Sequence, residues 1–144
     1  MYRTSTPVVD PAVRLASVLH ERDLAPELGD VLDDVRARAV QLERARGRGL
    51  EAGEIQLVRY RAGGFFYTHQ DAIDSPTEWR KLSFVVYLND DFAGGATGFP
   101  SFAVNVQPRT GYALVFAPHC VHYAGTVAAG EKYILAFWLG RHER

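Results

Sequence analysis

The hydrophobic pattern of the chain changes its period near Glu54, and this change limits the folds that are available. Before it, apolar residues recur every three or four positions over Val13–Leu19 and Leu28–Leu42, which predicts two amphipathic helices. After it, strand-like runs alternate with turn residues and occupy 54–60, 65–70, 81–88, 102–106, 112–117 and 132–139. Helices followed by strands argue against a βαβ fold. They predict a mainly β sandwich or barrel with N-terminal helices.

The length and charge of the chain restrict its organisation and its partners. At 144 residues it fits one domain, with 1–50 as a helical lead-in and 54–140 as the β core. Its 16 lysines and arginines nearly balance 17 aspartates and glutamates, so no overall field attracts nucleic acid or an anionic membrane. Cys120 is the only cysteine, and the sequence has no apolar run typical of a signal peptide or membrane span. We therefore expect a cytoplasmic protein.

The segment His69-Gln70-Asp71 places an imidazole and a carboxylate two residues apart on a predicted strand. Because side chains alternate across a strand, both would project from one face and could touch the same metal ion. A third, distant ligand would complete a two-histidine, one-carboxylate face with open coordination positions. His-x-Asp alone is a weak signal, since a surface histidine and aspartate often have this spacing by chance.

The last predicted strand carries a lysine on what should be an inward face. The two-residue period places Lys132, Ile134, Ala136 and Trp138 on one side of this strand. A buried ammonium needs an anionic partner, because without one it costs several kcal/mol or loses its proton. A bound carboxylate would supply that partner, whereas an outward-facing Lys132 would need none.

The distal segment makes the comparison with a known family specific. His122 precedes Lys132 by ten residues, and together with His69 and Asp71 this spacing resembles the prolyl-4-hydroxylase-like branch of the Fe(II)/2-oxoglutarate oxygenases. The resemblance implies that His69, Asp71 and His122 bind the metal and that Lys132 binds the far carboxylate of 2-oxoglutarate. His119 lies thirteen residues before Lys132 and ranks second to His122 as the distal ligand, and we expect it to be a loop histidine or one that supports a ligand.

Further motifs match the same family in order from Tyr60 to Trp138. They are Tyr60, Arg80 with the segment 87–90, the glycine turn at 94–100, the proline–glycine turn at 106–111, and Trp138. The resemblance implies that Tyr60 and Thr97 donate hydrogen bonds to 2-oxoglutarate and that Arg80 and Trp138 contact the substrate. Three of the four have an ordinary alternative: Tyr60 as a core aromatic, Thr97 as a turn residue, and Arg80 as the partner of a surface acid. Ala96 replaces the glutamate usual in the glycine turn, so the family's substrate contacts need not transfer.

The resemblance also implies a fold and a reaction. The fold is a double-stranded β-helix, or jelly roll, and the cofactors are Fe(II), 2-oxoglutarate as cosubstrate and dioxygen, with ascorbate as an optional reductant. The expected reaction is hydroxylation of an aliphatic carbon in a small molecule, an amino acid or a peptidyl proline. Asp71 favours hydroxylation, because related halogenases lack this carboxylate.

Two alternative functions stay open at this point. The chain could be a non-catalytic metal-binding jelly roll that serves as a sensor or binding module, although such a module would not need Lys132 and Tyr60. It could be a cupin-like iron dioxygenase that does not use 2-oxoglutarate, but cupin sites usually use more histidines. The lead-in is short for the family, so either the site is more open than usual or a second subunit of a homodimer covers it.

Overall fold

The computed structural model describes residues 6–7, 13–44, 46–47 and 49–141. Within these ranges there is one α-helix, α1 (Gly29–Arg44), and short 3-10 turns at Glu21–Asp23, Pro26–Leu28 and Pro100–Phe102. The strands are β1 (Thr6–Pro7), β2 (Arg14–Leu15), β3 (Ser17–His20), β4 (Glu51–Ala52), β5 (Gln56–Tyr60), β6 (Phe65–His69), β7 (Arg80–Tyr87), β8 (Ala93–Gly94), β9 (Thr97–Phe99), β10 (Val104–Val106), β11 (Ala113–Phe116), β12 (His122–Ala124), β13 (Val127–Ala129) and β14 (Lys132–Gly140).

The described strands form two main antiparallel sheets. The larger has seven strands in the order β1-β3-β5-β14-β7-β11, with β4 also paired to β14. The smaller has five strands in the order β10-β9-β12-β6-β2, and β8 pairs with β13 separately. A mainly β fold is therefore confirmed, and it places β14 at the centre of the larger sheet.

The two-residue alternation of β14 divides the core into two layers. Leu135, Phe137 and Leu139 are buried with residues of α1, chiefly Leu32 and Ala39, on one face of the larger sheet. On the other face Ile134 packs with Val18, Val58 and Tyr87 between the two sheets. The helix thus seals one side of the sheet and leaves the other for an internal cavity.

The prediction of a helix at Val13–Leu19 is wrong. This segment forms β2 and β3, separated only by Ala16, with β2 paired to β6 and β3 paired to β5. Three apolar residues at helical spacing also fit two short strands, and here backbone pairing with the neighbouring strands decides the outcome. The second predicted helix is confirmed as α1, which Pro26 precedes in a 3-10 turn. The lead-in is therefore not uniformly helical, and its residues 1–5, 8–12, 45 and 48 lie outside the described residues.

Several strand boundaries differ from those predicted. The run at 102–106 begins as a 3-10 turn and becomes strand only at Val104, and the short strands β8, β9, β12 and β13 were not predicted. Strands of two or three residues are too short to show an alternating pattern. Among the described helices, none combines the length and apolar character needed to span a membrane.

Gly140 at the end of β14 is a sensitive position for stability. A Cβ added there would lie 1.8 Å from the carbonyl oxygen of Trp79, a backbone atom that cannot rotate away. We expect Gly140→Ala to lower the free energy of unfolding by about 3 kcal/mol in urea denaturation, because the backbone must shift to relieve the overlap. Gly29→Ala is the control, since Gly29 has helical dihedral angles and nothing within 4 Å of the added Cβ. Equal stability of the two variants would contradict this packing.

Candidate active site

Two histidines and one aspartate meet at one end of the cavity between the sheets. His69 ends β6 and His122 begins β12, and the two are direct partners in the antiparallel pairing. The candidate ligand atoms of His69, Asp71 and His122 all lie within 4.8 Å of one another. Asp71 is not on the strand as predicted. It lies in the bend after β6, where its backbone N–H donates to the Pro118 carbonyl at 2.7 Å.

An irregularity in the pairing of β6 with β12 sets the direction of the first histidine. The register shifts between His122, which opposes His69, and Ala124, which opposes Phe66. Three residues of β6 therefore match two of β12, which breaks the simple alternation. As a result both Phe66 and His69 line the cavity, whereas Tyr67 between them is 64% exposed.

Backbone carbonyls fix the orientation of both imidazole rings. His69 Nδ1 lies 2.6 Å from the carbonyl oxygen of Tyr67, and His122 Nδ1 lies 2.9 Å from that of Cys120. A carbonyl can only accept, so Nδ1 is the donor in each ring and Nε2 is left with a lone pair in the neutral tautomer. Each Nε2 is 3.3 Å from Asp71 Oδ1. The three candidate ligand atoms, which are Nε2 of His69, Nε2 of His122 and Oδ1 of Asp71, thus converge on one point.

The Asp71 carboxylate is held by two further donors. Ser83 Oγ donates to Oδ2 at 2.7 Å, and Trp138 Nε1 donates to the same oxygen at 3.1 Å. Burial disfavours the ionised form, but contacts of Oδ1 with His122 and His69, whose Nε2 atoms donate when the rings are protonated, and the hydrogen bond from Ser83 outweigh burial and hold the pKa of Asp71 well below its usual range. The site therefore presents an oriented anion, which suits a cation.

Ser83 was missed by the sequence reasoning. It is only 1% exposed, and it faces the same side of the larger sheet as its pairing partner Trp138. The available signal was a hydroxyl residue in the otherwise apolar middle of the run Leu82–Val86. A buried hydroxyl in such a strand needs a partner, and here that partner is the Asp71 carboxylate.

At the other end of the cavity Lys132 is 1% exposed, and its Nζ donates to the Gly95 carbonyl at 2.7 Å. Nζ also lies 5.0 Å from the ring centroid of Tyr60, the residue of β5 that pairs with Lys132. Thr97 is nearby, with its hydroxyl 2.6 Å from that of Tyr87. No described carboxylate forms an ion pair with Lys132, and burial lowers its pKa to about 8. The buried ammonium group of Lys132 therefore makes this end of the cavity suitable for a bound anion.

The other residues that the sequence predicts for the site lie partly in the cavity and partly beside it. Trp138, Tyr60 and Thr97 line the cavity with Lys132 and the three candidate ligands. Arg80 stacks on the Trp138 ring at 3.7 Å and donates to the Asp71 carbonyl at 2.8 Å, and it forms no ion pair with the described surface acids. His119 is exposed, with its carbonyl accepting from Gln70 at 2.7 Å, and it is not part of the cluster of ligand atoms.

Comparison with known proteins connects this geometry to one family. A family model described as the 2OG-Fe(II) oxygenase superfamily matches residues 55–140. The chain is 33% identical over 111 residues to prolyl 4-hydroxylase subunit alpha-1 of Rattus norvegicus, covering 65% of this chain and 20% of that protein. It is 32% identical over 107 residues to an Acanthamoeba polyphaga mimivirus protein that is provisionally named a prolyl 4-hydroxylase. This match covers 60% of this chain and 44% of that protein. The chain thus spans less than half of these relatives.

Solved structures share the fold. A prolyl-4-hydroxylase of Pseudomonas putida superimposes with a TM-score of 0.79 at 27% identity, covering 96% of this chain and 77% of that one. A viral collagen prolyl hydroxylase of Paramecium Bursaria Chlorella virus-1 superimposes with a TM-score of 0.75 at 21% identity. This match covers 88% of this chain and 79% of that one. These likenesses confirm the double-stranded β-helix. Among the described residues it has one α-helix, α1, rather than the two predicted.

The cluster leads to a prediction about metal binding. We expect His69→Ala, Asp71→Ala and His122→Ala each to weaken Fe(II) or Co(II) binding by at least about 100-fold, because each removes one of three oriented ligands. Isothermal titration calorimetry under anaerobic conditions measures the affinity. His119→Ala is the matched control, since this exposed side chain should leave the affinity unchanged. Loss of binding in that variant, with retention in His122→Ala, would reverse the assignment of the distal ligand.

Proposed function

Because the chain belongs to the 2OG-Fe(II) oxygenase superfamily, we propose that it is an Fe(II)- and 2-oxoglutarate-dependent dioxygenase that hydroxylates an aliphatic carbon. One observation carries the proposal. A single cavity has three convergent candidate metal-ligand atoms at one end and a buried lysine at the other. A metal-binding module without cosubstrate would need only the first of these, so the lysine favours an enzyme.

The residues at the first end fit Fe(II). Two imidazole nitrogens and one carboxylate oxygen are the ligand set of non-haem iron oxygenases, and they leave coordination positions for other ligands. His69, Asp71 and His122 would hold the ion. Ser83 and Trp138 would keep the Asp71 carboxylate oriented and ionised. When bound, iron, 2-oxoglutarate and dioxygen supply the oxidation, in which 2-oxoglutarate becomes succinate and carbon dioxide as the substrate gains a hydroxyl group.

The residues at the second end fit the far carboxylate of 2-oxoglutarate. Lys132 would donate a charge-assisted hydrogen bond, and the hydroxyl groups of Tyr60 and Thr97 would donate neutral ones. Ile134 and Ala136 line the cavity between Lys132 and Trp138, so the middle of the site is apolar and matches the methylene groups of the cosubstrate. Burial keeps water from competing for the lysine.

Arg80 and Trp138 bear on the substrate class, because both donate hydrogen bonds to Asp71. Arg80 stacked on Trp138 offers a cation and a flat apolar wall beside Asp71, which suits a small carboxylated molecule such as an amino acid. The relatives named prolyl 4-hydroxylases point instead to a proline in a peptide. We propose a small molecule or a peptide rather than a folded protein. Ascorbate as reductant, a cytoplasmic location, a homodimer, and a single domain over 1–144 stay predictions.

The test of the class is spectroscopic. Anaerobic addition of Fe(II) and then 2-oxoglutarate should produce the visible charge-transfer absorption of a chelated 2-oxo acid. Fe(II) with succinate is the control, since succinate lacks the 2-oxo group. Absence of the band in protein that binds Fe(II) would contradict the proposal and favour the non-catalytic alternative.

Removal of the lysine charge should weaken cosubstrate binding. We expect Lys132→Met to raise the dissociation constant of 2-oxoglutarate at least tenfold, because a charge-assisted hydrogen bond is worth roughly 1.5–3 kcal/mol. Fe(II) affinity should stay unchanged, since the substitution lies at the opposite end of the cavity. Unaltered 2-oxoglutarate affinity would refute the role of Lys132.

The pH dependence supplies an independent check on the same residue. Since the lysine pKa is about 8, Lys132 is charged below that value and loses its proton above it. The affinity for 2-oxoglutarate should therefore be constant below about pH 8 and fall toward higher pH. In Lys132→Arg the guanidinium keeps its charge, so this fall should disappear.

A substrate screen tests the remaining part. Succinate release should be stimulated by members of a panel of free amino acids, small carboxylic acids and short proline-containing peptides, with folded proteins assayed in parallel. Arg80→Gln should lower the stimulation for anionic members more than for neutral peptides, because only the former need the guanidinium. Stimulation by folded proteins alone would overturn the proposed substrate class.

A further inference from the structure

Arg14 enters the cavity from a part of the chain that carries no family motif. It lies on β2, which precedes the matched region 55–140, and β2 pairs with β6 so that Arg14 opposes Phe66. The side chain of Arg14 lines the same cavity as Tyr60, His69 and Lys132. A second cation therefore reaches the interior in addition to the lysine.

The guanidinium of Arg14 is held by an aromatic ring rather than by an acid. Its central carbon lies 4.3 Å from the centroid of Phe66, whose other neighbour, the His69 ring, is stacked at 3.5 Å with an interplanar angle of 9°. No described carboxylate forms an ion pair with Arg14, and its Nε is buried without a hydrogen-bond partner. The stacking fixes the position of the charge and leaves the Nε donor without a partner among the described residues.

Arg14 shares the cavity lining with Tyr60, whose hydroxyl has a proposed role. Burial raises the pKa of Tyr60, and the charge and hydrogen bonding of Arg14 act in the opposite direction, which agrees with this shared lining. A guanidinium can only donate, so the Tyr60 hydroxyl oxygen is the acceptor in a hydrogen bond with Arg14. The hydroxyl hydrogen of Tyr60 is then free to point to another acceptor, and the Tyr60 ring adjoins Lys132 Nζ.

We propose that Arg14 is a positioning residue for the cosubstrate, which orients the Tyr60 hydroxyl as a donor to the far carboxylate of 2-oxoglutarate. This inference rests on the proposed function. It assigns to β2 a part in cosubstrate binding, although β2 contributes no metal ligand. The effect should be confined to ligands that possess the far carboxylate, and it should require the hydroxyl of Tyr60.

Two 2-oxo acids separate this role from a general effect on structure. 2-Oxopentanoate has the same chain length as 2-oxoglutarate but ends in a methyl group. We expect Arg14→Gln to raise the dissociation constant of 2-oxoglutarate about tenfold, the size typical of one lost hydrogen bond to a charged group, and to leave that of 2-oxopentanoate unchanged. Anaerobic titration of the Fe(II) protein, followed by calorimetry and the charge-transfer band, measures both constants without turnover. Arg38→Gln, at an exposed arginine of α1, is the control.

A second pair of variants tests the connection through Tyr60. In a Tyr60→Phe background, adding Arg14→Gln should change the 2-oxoglutarate affinity less than twofold, because the group that Arg14 orients is already gone. A full tenfold effect in that background would overturn the proposal. Arg14→Lys keeps a charge and should recover part of the affinity. If Arg14→Gln does not fold, as judged by circular dichroism, Arg14→Lys is compared on the same two acids.

The remaining outcomes are also decisive. Equal weakening of both acids by Arg14→Gln would show a structural effect and overturn the inference, as would an unchanged 2-oxoglutarate affinity. Wild-type protein that binds Fe(II) but not 2-oxoglutarate would overturn the proposed function, and this inference with it. Wild-type binding with no effect of Arg14 would overturn only the inference.

Discussion

Two buried charges of opposite sign share one cavity, and strand β14 keeps them apart. Lys132 begins this strand, and Trp138, which donates to Asp71, lies six residues further on. Among the described residues no ion pair joins the two charges, because Lys132 Nζ donates to the Gly95 carbonyl and Asp71 Oδ1 lies against the two histidines. Each therefore depends on a ligand of the opposite sign. In the proposed function a metal ion near Asp71 and a carboxylate near Lys132 would satisfy both charges, and a dicarboxylate that chelates the metal would serve both ends at once.

The parts of the fold that the sequence predicts are those with a long, regular pattern. The strands β5, β7 and β14 and the helix α1 each have enough residues to show their period. The segment Val13–Leu19 does not, because its apolar spacing fits either a helix or two short strands, and pairing with β5 and β6 selects the strands. Such pairing joins residues about forty to fifty positions apart, and no local pattern reports it.

Some residues of the candidate site are likewise predictable from the sequence, and others are not. His69, Asp71, His122 and Lys132 have spacings that a family resemblance can identify, and the structure brings the first three together. No sequence spacing identifies Ser83. Its role depends on its pairing with Trp138, which lies on the neighbouring strand β14. The inward direction of His69 also depends on the register shift between β6 and β12, which a strict two-residue alternation does not predict. Arg14 and Phe66 join the site through pairing of β2 with β6.

The segment Arg14–His20 has a mechanical consequence for the whole fold. Its first two residues extend the edge of the smaller sheet and its last four extend the larger one, with buried Ala16 at the crossing. One continuous piece of backbone therefore acts as a clasp between the sheets, and it covers an edge of each that would otherwise be open to pairing with another chain. Any motion that widens the space between the sheets must break hydrogen bonds of this clasp. The two sheets on either side of the cavity are thus joined by a segment that contributes none of the candidate metal ligands.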